Sequence, residues 1–170
     1  MKKSTKLFFL SFIAFCFTKD LTAQELLPGV TVVSFNYKYL KSVNDTNAAQ
    51  PVRLLEHKAA GFDLKNSEFY EEEYDNYYIS FYLPEGEVLA FYDNKGKIEH
   101  AAERFKNVAL PKAVATSLAN KYPGWILAKD FYIVKYYSDP LEVKKVYKLI
   151  LKKDKERMKV KVNEKGEEVK

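Results

Sequence analysis

Only two histidines occur in the 170 residues, His57 and His100, and imidazole chemistry would have to be built on them. A zinc-peptidase helix carries two histidines four positions apart with a glutamate beside the first. His57 stands instead in LLEHKAA and His100 follows Glu99, neither at ligand spacing, so both read as solvated polar positions. A nucleophilic serine on a Gly-x-Ser-x-Gly elbow, or a glycine-rich phosphate cradle, needs clustered glycines. The six glycines here lie mostly at corners and form neither. The acidic run EFYEEEYD (68–75) offers carboxylates to a hard cation, but it lacks the glycine that lets a loop curve around an ion. Adjacent glutamates on a strand also point to opposite faces, so the run reads as solvated strand or loop. DNKG (93–96) lacks the later carboxylates of a calcium loop and reads as a hairpin turn. The residues therefore imply no metal, no cofactor and no catalytic set. The enzymatic alternative is a hydrolase-type site formed only in the fold, on Glu71, Glu73 and His57.

The aromatic residues carry more information. The chain holds thirteen tyrosines and one tryptophan, and the tyrosines crowd into strand-like runs. With Ile79, Phe81 and Leu83 turned toward a core, Tyr78, Ser80 and Tyr82 face outward. With Leu89 and Phe91 inward, Tyr92 joins the outward set. In the second half, inward Tyr147, Leu149 and Leu151 leave Lys148 and Lys152 outward, beside Lys159 and Lys161. The expected binding face is thus Tyr78, Tyr82, Tyr92, Lys148, Lys152, Lys159 and Lys161. Exposed tyrosines provide large contact area and are frequent interface anchors. The same pattern also suits ordinary strand surface, because tyrosine favours strands and lysine guards sheet edges. Trp125 reads as a core plug.

These side chains need elements to position them. Segments 50–64 and 110–127 each begin near a proline, tolerated in a helix's first turn, and each stops at a glycine, Gly61 or Gly124. Val52, Leu55, Ala59 and Phe62 follow helical spacing in one, and Val114, Leu118 and Tyr122 in the other. Strand-like runs follow each helix: 68–74, 77–83 and 88–92 in the first half, 126–136, 144–152 and 157–163 in the second. LPEGE and KKDKE mark matching hairpin corners, and DNKG (93–96) is echoed by NEKG (163–166). Ahead of the helices, TVVSFNYKYL (31–40) alternates like a strand. KIEHAAERF (97–105) fits strand or helix, and its position in the repeat favours strand. The expectation is an α+β domain of two tandem β-α-β-β-β repeats, about 30–92 and 97–163, with antiparallel sheet and the helices packed on one face.

The first residues speak to location. Lys2, Lys3 and Lys6 precede the apolar run LFFLSFIAFCF, and small Thr22 and Ala23 follow, the order of a secretory signal peptide. The expected cut falls after Ala23, leaving residues 24–170 as a single periplasmic or secreted domain without cysteine. The apolar run is too short for a stable membrane span. Charge divides unevenly along the exported part. Residues 24–100 hold seven basic and thirteen acidic side chains, net −6, and residues 101–170 hold seventeen and nine, net +8. The sum argues against a nucleic-acid partner. The split either steers a partner or draws the two halves together.

LPKAVATSLANKYPGW (110–125), the alternating aromatic strands after it and VKVNEKGEEV (160–169) resemble the PepSY-like proteins of bacteria. The shared pattern is LP-x-x-V, a YPG helix exit, and a strand ending in Asn or Asp with x-x-Gly after it. The likeness spans nearly the whole exported part, strongly in the second repeat and loosely in the first, where AAGFD replaces the YPG exit. The resemblance implies a small exported protein with a shape like the β-lactamase inhibitors. The expected function is a non-enzymatic binding or inhibitor-like protein engaging another exported protein through the aromatic-rich open face of its sheet. A small-molecule or lipid-binding periplasmic module is the alternative.

Overall fold

A computed structural model describes residues 35–170. The expected signal peptide and the first four residues of TVVSFNYKYL lie outside the described residues. Among the described residues three helices, α1 (Tyr37–Val43), α2 (Gln50–Ala60) and α3 (Lys112–Lys121), accompany six strands. The strands are β1 (Asn76–Leu83), β2 (Gly86–Asp93), β3 (Ile98–Lys106), β4 (Ile126–Ser138), β5 (Leu141–Lys153) and β6 (Glu156–Val162). They form one antiparallel sheet in chain order, β1-β2-β3-β4-β5-β6, each strand hydrogen-bonded to the next. This is the α+β, antiparallel architecture expected from the hairpin corners.

Strict alternation decides which side of each strand is buried. Tyr77, Phe81, Val88, Ala90, Tyr92, Ala101 and Phe105 turn to one face, joined by Tyr132, Val134, Tyr136, Tyr147, Leu149, Leu151, Val160 and Val162. Onto that face α1 sets Tyr39 and Val43, α2 sets Val52, Leu55, Ala59 and Ala60, and α3 sets Val114, all in one core. The opposite face has no helix over it among the described residues. Five tyrosines (Tyr39, Tyr92, Tyr132, Tyr136 and Tyr147) are among the largest fully buried side chains. Tyr39 meets Tyr136 edge-on at 5.2 Å, and Tyr132 stacks on Tyr147 at 4.4 Å. Trp125, expected as a core plug, is only half-buried where it packs against this core.

KIEHAAERF is strand, as its place in the repeat predicted. Residues 97–163 run β3-α3-β4-β5-β6, the expected β-α-β-β-β order. The first unit differs in two places. Tyr37–Leu40, expected to end a strand, are helix α1: Tyr39 and Val43 are four apart, so a short alternating stretch satisfied helical spacing equally well. Residues 68–74, expected as strand, are successive turns, with Tyr70 N–H donating to Ser67 and Tyr74 N–H to Glu71. Three adjacent glutamates leave that run no side to bury, and sheet pairing begins only at Asn76.

Candidate binding face

The uncovered sheet face is built by the strand positions that alternate with the core. Tyr78 and Tyr82 stand on it as expected, 70% and 76% exposed. Tyr92 does not. It is fully buried on the helix side, where its hydroxyl donates to the Ala59 carbonyl at 2.8 Å. In β2 both alternating sets are apolar, so hydrophobicity alone does not choose the inward one. Packing against α2 does: small Val88 and Ala90 enter the core that holds Ala59 and Ala60 of α2, the Tyr92 hydroxyl reaches the Ala59 carbonyl, and Leu89 and Phe91 are turned to the open side.

Phe91 thereby takes the place assigned to Tyr92, and strand register extends it into a row across four strands. Tyr78 pairs with Phe91, Phe91 with His100 and His100 with Tyr137. Their rings touch in sequence at 4.9, 5.1 and 5.4 Å, spacings typical of favourable aromatic contacts. His100, read from sequence as merely solvated, is a member of this row. Phe91, His100 and Tyr137 escaped the sequence reading because a cross-strand row exists only once the register is known.

Toward the other edge the face turns basic. Lys148, Lys152, Lys159 and Lys161 all project from it, as predicted. Lys148 lies directly across from Lys161, and Ile150 from Lys159. Between them runs a shallow groove of about 420 Å³ with Phe131, Ile133 and Ile150 on its floor and Arg104, Lys148, Lys159 and Lys161 around it. The Arg104 guanidinium sits 5.3 Å from the centre of the Phe131 ring, a cation–π arrangement. The groove can hold an apolar body carrying negative charge.

Glu87 of β2 stands directly across from Arg104 of β3, one place where the oppositely charged segments meet. The three ion pairs among the described residues are Lys121–Glu168, Lys144–Glu142 and Lys145–Glu164. All lie within residues 101–170, so none ties the halves together.

The alternative catalytic trio is not assembled. Glu71 and Glu73 lie exposed in the turns before β1, and His57 lies exposed on α2. No group of three or more metal-capable side chains occurs among the described residues. The neighbour of His57 is the unexpected residue. Glu56 is completely buried, and its two carboxyl oxygens make no hydrogen bond within the protein. The spacing signal was present: Val52, Glu56, Ala59 and Ala60 occupy one helical stripe. Glu103 of β3, also buried, accepts from the Tyr39 hydroxyl at 2.8 Å. Burial pushes both carboxyls well above the ordinary carboxylate range. Glu103 nearby adds to the rise at Glu56, the Tyr39 hydrogen bond works against the rise at Glu103, and partly buried Lys145 opposes both. A neutral acid avoids the large penalty of an unpaired buried charge. The Tyr39–Glu103 hydrogen bond, not the carboxyl pair, ties the helical layer to β3.

No family model, curated protein or solved structure matches this chain. No helix among the described residues is long and apolar enough to cross a membrane.

Proposed function

We propose that this chain is an exported, non-enzymatic binding protein, PepSY-like and inhibitor-like in form, that engages another exported protein through the open face of its sheet. The observation that carries the reading is the uncovered row Tyr78–Phe91–His100–Tyr137, continuous across four strands. Exposed rings already held against one another lose little conformational freedom when a partner covers them. The matching corners Asp93–Gly96 and Asn163–Gly166, detailed below, support the further reading that the domain is a doubled module whose first unit has diverged. Export rests on the basic head and apolar run of residues 1–23.

The groove supports a second reading, in which the ligand is a small anionic amphiphile with its apolar part over Phe131, Ile133 and Ile150. One experiment separates the two. Affinity capture from the host envelope is compared for wild type, Tyr78→Ala/Tyr82→Ala/Phe91→Ala, and Lys148→Glu/Lys159→Glu, with folding checked by circular dichroism. A protein partner retained by wild type and lost by the aromatic variant supports the proposal. Capture unchanged by the aromatic variant overturns it. A bound amphiphile lost only from the lysine variant favours the second reading.

A further inference from the structure

The two edges of the sheet differ in a way that makes them complementary. β1, NYYISFYL, is an eight-residue edge strand without charge, proline or glycine, and its backbone bonds among the described residues run only to β2. Edge strands of this kind are normally blunted by charge, bulges or a covering segment, because their free N–H and C=O groups template another strand. Acid flanks it: Glu71, Glu72, Glu73 and Asp75 precede it, and Glu85 and Glu87 follow.

The far edge, β6, is basic, with Arg157, Lys159 and Lys161. Part of it is occupied, since Val169 N–H donates to the Lys161 carbonyl and Glu168 bridges to Val162. In antiparallel sheet every second residue directs both its backbone groups to the same side. Arg157 and Lys159 therefore present theirs outward as Lys161 does, and among the described residues no backbone bond engages these two.

We propose that this protein self-assembles head to tail, with β1 of one copy pairing against the open stretch of β6 of the next. Three features point to a second copy as the occupant. The acidic flanks of β1 repel another β1 and attract Arg157 and Lys159. Among the described residues no ion pair joins the −6 half to the +8 half of one copy. In a six-strand meander the first and last strands run in opposite directions, so β6 laid beside β1 continues the antiparallel sheet and keeps all helices on one side. Such a contact is heterologous and grows by addition of copies rather than closing as a two-fold dimer.

Sedimentation velocity on the purified protein across concentration and salt tests this. Association that strengthens with concentration and weakens about tenfold or more from low to high salt is expected. Arg157→Glu/Lys159→Glu alone and Glu71→Lys/Glu73→Lys alone each lose it, all four positions being exposed. An equimolar mixture of the two variants restores it, because each acidic edge again meets a basic one. A wild type that stays monomeric at low salt overturns the proposal. So does either variant associating as wild type does, or a mixture without rescue while both variants remain folded.

Discussion

The corners Asp93–Gly96 and Asn163–Gly166 are the same structure used twice. In each, the first residue's side-chain oxygen accepts from the backbone N–H groups two and four positions on, at 2.8–3.0 Å. In each, its carbonyl accepts from the glycine N–H, and its own N–H donates to the residue four ahead. The glycines adopt nearly equal positive φ, 80° and 78°. Their surroundings differ. The Gly96 carbonyl accepts from the Asn36 side chain at 3.0 Å, and its Cα has room toward Leu64. The Gly166 carbonyl accepts from Ser117 of α3 at 2.6 Å, and a Cβ at Gly166 would stand 2.5 Å from that serine's Cβ and 3.0 Å from the Ala113 carbonyl. Local sequence makes the corner, and its neighbours decide what the corner holds. The first secures the deep two-helix cover through Asn36, whereas the second is the seat of α3, which buries only Val114.

The largest expected effect breaks that seat. Gly166→Ala adds left-handed strain to a steric conflict with a helix, and should cost about 3 kcal/mol in urea unfolding. Gly96→Ala meets only the strain, about 1 kcal/mol. Equal losses at the two glycines would show that close approach is irrelevant. Asn36→Ala comes next. Asn36 is buried and also accepts from Ile98 N–H at 2.6 Å, so its loss leaves buried groups unpaired, at about 2 kcal/mol. Ser117→Ala, at a half-buried site, should cost about 1 kcal/mol.

Acidity sharpens the contrast from another direction. Glu56 and Glu103 have raised native pKa values, so the folded state holds protons that the unfolded chain releases. Their stabilisation is fully present below the ordinary carboxylate range and is lost as pH rises through the native values, by at most about 1.4 kcal/mol per pH unit per group. Hydrogen exchange should show α1 and α2 opening as pH rises while α3 stays protected, and Glu56→Gln/Glu103→Gln should flatten that dependence. Uniform opening of all three helices would refute a role confined to the first cover. The smallest change in stability belongs to the open face: Tyr78→Ala/Tyr82→Ala should shift unfolding by less than about 1 kcal/mol, since neither ring supports the core.

Much of the fold was legible where the signal is local. The corner residues, the alternation in β4–β6 and the prolines that open α2 and α3 act over a few neighbours, and the structure follows them. Glu56 was legible in principle from its place on the apolar stripe of α2, but a carboxylate beside His57 and Lys58 reads as solvated until the packed layer shows otherwise. Of the binding face, Tyr78, Tyr82 and the four lysines were readable because one alternating set in their strands is plainly apolar. Tyr92 was not, because both sets in β2 are apolar.

By itself, then, the sequence determined the hairpins, the antiparallel sheet and the β-α-β-β-β order of residues 97–163, because turn chemistry and period-two burial need only nearby residues. The tertiary structure alone decided that Tyr37–Val43 is helix, that residues 68–74 stay outside the sheet, that Tyr92 faces α2, and that Phe91, His100 and Tyr137 extend Tyr78 into one row. Each of those outcomes depends on what packs against or pairs beside the residue, and such neighbours are distant in sequence and fixed only by register and helix approach.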